Sequence, residues 1–167
     1  VMLSQEAILT NASDAIANVK VGQRIFTSLP FYHTYGLTCS VVAMLIPGSH
    51  LHINGNLKTV MRDLRLSKAN TLLTVPLMLE MIHGRLWQSA EESGKEESLK
   101  KLFKITKFLR SIGIHKPGKI LEDIREKCFG SIDLIICGGA HMNREIMEQF
   151  QCMGVTVLQG YGITECG

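Results

Sequence analysis

Short apolar stretches stopped by Pro or Gly alternate along this chain with longer stretches of helical periodicity. That alternation restricts the fold more than any other feature of the sequence. Arg24-Ile25-Phe26-Thr27-Ser28-Leu29 is stopped by Pro30, Ser49 to Ile53 follows Pro47-Gly48, and Thr71 to Val75 is stopped by Pro76. Ile132 to Cys137, with its unbroken Leu134-Ile135-Ile136-Cys137, runs into Gly138-Gly139, and Val155 to Leu158 runs towards Gly160. Each stretch has the length of a strand, and the β-branched content of Ile132 to Cys137 suits one buried on both faces.

The segments between them read as helices. Ser4 caps one that runs through Asn18, with Ile8, Ala12, Ala15, Ile16 and Val19 as its apolar stripe. Leu37 to Ile46 is almost wholly apolar and predicts a buried helix. Leu57, Val60, Met61, Leu64 and Leu66 carry helical periodicity to Ser67, and Pro76 opens a helix over Leu77 to Leu86, where its missing N–H costs nothing. The polar stretch 89–98 predicts a mobile linker, after which Leu99, Leu102, Phe103, Ile105, Phe108, Leu109 and Ile112 restore an amphipathic helix. Ile120 to Cys128 and Arg144 to Cys152, the latter capped by Asn143, complete the set. Parallel strands need long crossovers, so this rhythm predicts an α/β fold with a mostly parallel sheet covered by helices.

Composition narrows the class. With 167 residues, 46% of them hydrophobic, the chain can bury one sizeable core. No apolar run approaches the roughly 20 residues that cross a bilayer, and Val1-Met2-Leu3-Ser4-Gln5-Glu6 lacks the features of a secretory signal, so a cytoplasmic protein is expected. Five cysteines, an odd number with no Cys-x-x-Cys pair, predict reduced thiols rather than a disulfide framework. His50 and His52 alternate on a strand without a third partner, which argues against structural zinc. A net charge of +3 is too balanced to imply nucleic acid. Its distribution is uneven: seven basic residues and no acidic one lie between Lys100 and Lys119. The 99–119 segment fits either an ordinary surface helix with its apolar side inward or a helix resting on the inner face of a membrane.

Two glycine-bearing loops, Gly138-Gly139-Ala140 and Gly160-Tyr161-Gly162, follow two of the expected parallel strands. Open parallel sheets bind ligands beyond the carboxyl ends of their strands, so both loops point to one site. Glycine lets backbone approach a ligand, Tyr161 can stack on a base, Thr164 can donate to phosphate, and Glu165 can hold a hard cation. Together they suggest a nucleotide with magnesium; singly, each also reads as a turn glycine or a solvated side chain. Gly160-x-Gly162 lacks the third glycine of a dinucleotide-binding fingerprint, which argues against a dehydrogenase.

Leu158-Gln159-Gly160-Tyr161-Gly162-Ile163-Thr164-Glu165-Cys166-Gly167 resembles the Tyr-Gly-x-Thr-Glu motif of the adenylate-forming superfamily, the acyl-CoA synthetases and their relatives. Gly138-Gly139-Ala140 resembles that family's Gly-Gly-Ala loop, and Pro30-Phe31-Tyr32-His33-Thr34-Tyr35-Gly36 its Pro-x-x-His-x-x-Gly segment. Val1-Met2-Leu3-Ser4 is similar to the sequence that follows the family's phosphate loop. The longer segment between Trp87 and Gly118 resembles the long-chain fatty acid–CoA ligases.

The resemblance implies an ATP- and magnesium-dependent ligase that converts a fatty acid to acyl-adenylate and pyrophosphate and then to acyl-CoA, with coenzyme A as acceptor. It implies catalytic roles for His33, Thr164 and Glu165, with Glu165 on the metal. The nucleotide would be held by Gly138, Gly139, Ala140, His141, Gln159, Gly160, Tyr161, Gly162 and Thr164. His141 stands where the family often has proline, so it is either a ligand contact or only the approach to the Asn143 cap. The resemblance further implies that residues 1–167 are the central part of the N-terminal AMP-binding domain, with the phosphate loop upstream and a domain bearing the catalytic lysine downstream. Activation of another carboxylate, transfer to a carrier protein, and a non-catalytic membrane- or anion-binding module stay open as alternatives.

Overall fold

The computed structural model describes residues 1–56 and 58–166. Leu57 and Gly167, read from the sequence as part of a helical stripe and of the last loop, lie outside the described residues. Five parallel strands form one sheet in the order β2-β1-β3-β4-β5. They are β1 (Arg24–Thr27), β2 (His50–Ile53), β3 (Thr71–Thr74), β4 (Leu134–Cys137) and β5 (Thr156–Gln159). The chain steps outward from β1 to β2 and then crosses back to β3, so the direction of winding reverses between β1 and β3. Such a switch point opens a crevice at the strands' carboxyl ends.

Neighbouring residues on each strand face opposite sides, and the two sides build two cores. Phe26, Leu72, Ile135 and Val157 belong to the larger core. It is roofed by α3 (Val60–Ser67), α4 (Pro76–Glu92), α5 (Glu96–Ser111), α6 (Lys119–Phe129) and α7 (Arg144–Cys152). Ile25 and Leu73 face the smaller core, which α1 (Gln5–Asn18) and α2 (Ala43–Leu45) cover. Ile136 is only half-buried on that side and Leu158 is exposed, so the sheet is left open near β4 and β5. The crevice forms there.

Helix ends follow local chemistry. The Ser4 hydroxyl accepts from the Ala7 N–H at 3.0 Å to start α1, and Asn143 Oδ1 accepts from the Glu145 N–H at 2.8 Å to start α7. Pro76 sits in the first turn of α4.

Two expectations change. Residues 37–46 do not form one buried α-helix: Tyr35–Val42 is π-helical, with the Ala43 N–H donating to Thr38 O, and only Ala43–Leu45 is α-helical. The wider turn shifts the helical phase, burying Gly36, Thr38 and Ser40 while Leu37, Leu45 and Ile46 face outward. The buried Ser40 hydroxyl accepts from Thr27 Oγ1 at 3.2 Å. The polar stretch 89–98 is not a linker either. It completes α4 and begins α5, leaving only Ser93, Gly94 and Lys95 between the two helices. Its charges mark the solvent face of a helical hairpin, in which Lys100 pairs with Glu96 and Glu97 at 2.8 and 2.9 Å.

The thiols are free, with Cys128, Cys137 and Cys152 buried and Cys166 exposed. Among the described residues no helix is long and apolar enough to cross a membrane.

Candidate active site

The loops after β1, β4 and β5 and one face of α1 enclose a cavity of about 630 Å³ at the switch-point side of the sheet. Its size falls within the usual range for small-molecule sites. His33, Gly138, Gly139, Gly160, Tyr161, Gly162, Thr164 and Glu165 all line it, so three separate loops converge. Ala140, Gln159 and His141 do not line its wall. Gln159 lies behind the Gly-Gly-Ala loop, its side-chain amide donating to Ala140 O at 3.4 Å, and His141 is exposed ahead of the α7 cap.

Tyr35, which sequence reading passed over as a site residue, organises this region. Its hydroxyl donates to Ile136 O at 2.9 Å, with Thr74 O at 3.3 Å, and so spans the ends of β3 and β4. Burial pushes the phenol far above its ordinary pKa, with nearby Cys39 and Cys137 adding to the effect. A Cβ at Gly138 would stand 3.1 Å from the Tyr35 ring, which gives a packing reason for glycine there, while Gly139 turns with φ 85°. The Tyr35 N–H donates to His33 Nδ1 at 3.1 Å, so a neutral His33 carries its proton on Nε2. Its place in a turn two residues after His33 carries no sign of these distant contacts.

Asn11 and Asp14, on one face of α1, also line the cavity. Asn11 Nδ2 donates to Cys166 O at 3.2 Å and ties α1 to the 3₁₀ turn Thr164–Cys166. Their i, i+3 spacing on the polar side of that helix was the available clue.

The cavity offers donors and a carboxylate. Gly138 and Gly160 spend their N–H groups on Thr74 O and Cys137 O, but among the described residues no backbone acceptor engages the N–H of Gly139, Ala140, Tyr161 or Gly162. Glycine-rich backbone of this kind cradles anions. Tyr161 is 96% exposed, leaving its ring free to stack, and Thr164 and Glu165 are exposed side by side. Among the described residues no three His, Cys, Asp or Glu cluster as a metal site. A cation held here by a carboxylate would complete its shell with phosphate oxygens and water. Magnesium is commonly held in that manner, by one or two carboxylates plus substrate oxygens, and Glu165 fits it.

The family model described as AMP-binding enzyme matches residues 1–167. Long chain acyl-CoA synthetase 5 of Arabidopsis thaliana is 24% identical over 185 residues, covering 99% of this chain and 27% of that protein. Among solved structures, the A-PCP didomain of carboxylic acid reductase from Segniliparus rugosus in complex with AMP aligns with a TM-score of 0.71 at 20% identity. That alignment covers 98% of this chain and 21% of that one. The o-succinylbenzoate CoA synthetase of Bacillus subtilis in complex with its acyl-adenylate intermediate aligns at 0.65 and 17% identity, covering 100% of this chain and 27% of that one. The N-terminal domain of FACL13 from Mycobacterium tuberculosis also aligns at 0.65 and 17%, covering 100% and 34%. The chain thus spans about a third or less of each of these relatives.

Proposed function

The chain belongs to the AMP-binding enzyme family, and from that premise we propose that it is the central part of an enzyme that joins a carboxylate to ATP. The products would be an acyl-adenylate and pyrophosphate. The observation that carries this reading is the convergence of the loops after β1, β4 and β5 on one cavity with unengaged N–H groups, an exposed Tyr161, and the Thr164-Glu165 pair.

A carboxylate oxygen attacks the α-phosphorus, the bond to the pyrophosphate oxygen breaks, and negative charge gathers on the phosphates. Fixed donors at that point lower the barrier because they need no reorganisation. The N–H groups of Gly139, Tyr161 and Gly162 and the Thr164 hydroxyl, all on the cavity wall, supply such donors. Tyr161 stacks on the adenine, and Gln159 steadies the Ala140 carbonyl and with it the loop. His33, its Nε2 carrying the proton, stands on the acyl side and orients the carboxylate; His141 lies at the outer margin. Magnesium bound through Glu165 and the phosphate oxygens would neutralise charge on the leaving pyrophosphate.

A long-chain fatty acid as the carboxylate and coenzyme A as the acceptor form the narrower reading, supported by the relative from Arabidopsis thaliana. The structural relatives carry other acyl groups in their names, o-succinylbenzoate and malonyl among them, so activation of a carboxylate is the broader and better supported statement. Contact with a membrane is supported by one observation. Ile105, Phe108 and Ile112 project from the outer face of α5, 57%, 65% and 59% exposed, beside Lys101 and Lys104.

Glu165→Gln in the full-length protein tests the site. We expect adenylate formation to fall by about 10²-fold or more with thermal stability unchanged, since an exposed ligand is lost and no cavity is made. An unaltered rate with unaltered magnesium dependence would remove Glu165 from the site.

A further inference from the structure

A second cavity, of about 940 Å³, opens on the opposite side of the sheet, between α3, α4, α5 and α6. It shares no residue with the strand-end cavity, and its floor belongs to the larger core. Ile82, Leu86, Leu99, Leu102 and Ile124 make that floor apolar. Burial there pushes the Cys128 thiol up to about 11 even though Arg65 is near. Arg65, Arg85, Lys95 and Lys127 stand around the rim against a single acid, Asp123. None of the ion pairs among the described residues uses any of these four cations. Among the described residues the Arg65 guanidinium donates only to a backbone carbonyl, Lys127 O, at 3.2 Å.

An apolar trough rimmed by uncompensated positive charge matches a ligand that is apolar along its length and anionic at one end. A neutral lipid would leave the rim unmatched, and a small anion would leave the floor unused. We propose that this cavity binds a long-chain carboxylate, head at the cationic rim and chain along the floor, as a site separate from the strand-end cavity. The proposal does not depend on the adenylation reading, because it rests on different residues on the other face of the sheet.

Photo-crosslinking of the full-length protein with a diazirine-bearing palmitate analogue, below micelle formation, tests it. Adducts are expected on the α4 stretch 85–92 and the α6 stretch 120–127, with competition by unlabelled palmitate. Arg85→Glu combined with Lys127→Glu should cut labelling of these peptides about tenfold, the scale of a lost charge partner, and leave strand-end peptides unaffected. Ser89→Trp keeps both cations and blocks the trough, and should abolish the same adducts. Both Arg85 and Ser89 are exposed, so these variants should fold. Labelling confined to strand-end peptides, equal labelling by the diazirine-bearing alcohol of the same length, or competition by phosphatidylglycerol vesicles but not by palmitate would overturn the assignment.

Discussion

Tyr35 joins three parts of the candidate site: the ends of β3 and β4 through its hydroxyl, His33 through its backbone, and the Gly138 turn through its ring. A methyl group at Gly138 would press on that ring, so Gly138→Ala should destabilise by about 1–3 kcal/mol, the usual scale of overpacking. Tyr35→Leu should relieve much of this, giving a non-additive double-mutant cycle in thermal unfolding; additive effects would show that the ring does not limit the loop. His52 makes a separate prediction. Burial lowers its pKa, with His50 and Arg24 adding to the shift, and its Nε2 meets the Arg24 guanidinium at 3.1 Å. The unfolded chain therefore takes the proton more readily, so stability falls as pH drops through the ordinary histidine range near 6.5 and the loss is complete below the folded-state pKa. His52→Gln should flatten the change in urea midpoint between roughly pH 5 and roughly pH 8, whereas an unchanged slope would assign it to other groups. Thr164, Glu165 and the glycines were legible because each sits in a short motif after a strand. Tyr35 was not, since an aromatic in a turn gives no sign of which carbonyls it will reach 39 and 101 residues away.

Strands and caps were readable because they depend on local chemistry: five apolar stretches became five parallel strands, and Ser4, Asn143 and Pro76 start helices as expected. The π-helix at Tyr35–Val42 was not readable. Apolar content predicts burial of the bulky residues, while the wider turn brings Thr38 and Ser40 inward and pairs Ser40 with Thr27. α5 joins both patterns. Leu99 and Phe103 pack into the core, yet Ile105, Phe108 and Ile112 form a second apolar stripe on the outer face. Lys100 is paired with Glu96 and Glu97, Lys107 with Glu148 at 2.6 Å, and Arg110 donates to Gln151 O at 3.0 Å, so among the described residues Lys101 and Lys104 remain as the cations of that stripe. Each free lysine near an anionic surface contributes roughly 1 kcal/mol. Lys101→Gln with Lys104→Gln should therefore weaken sedimentation of the full-length protein with anionic vesicles by about tenfold or more, and Phe108→Ser should weaken it further. Equal binding to neutral vesicles, or no change in either variant, would mean that the stripe does not face lipid.

At the scale of the molecule, the order β2-β1-β3-β4-β5 sets the location of the site. The reversal between β1 and β3 opens the crevice, and parallel pairing of β3, β4 and β5 brings the ends of three strands to one edge. The helix–strand rhythm announced the parallel sheet but not this order, because strand order is decided by packing between elements distant in sequence. The second cavity was equally hidden: its walls come from α3, α4, α5 and α6, and their rim charges acquire meaning only once the helices are side by side. Activation of a carboxylate with ATP in the strand-end cavity is tested by pyrophosphate release from the full-length protein. A panel of short-chain, long-chain and aromatic acids would be offered with ATP and magnesium. Release should require ATP, magnesium and an acid together and should be lost in Glu165→Gln; no release with any acid in the panel, or release independent of the acid, would rule out carboxylate activation at this site.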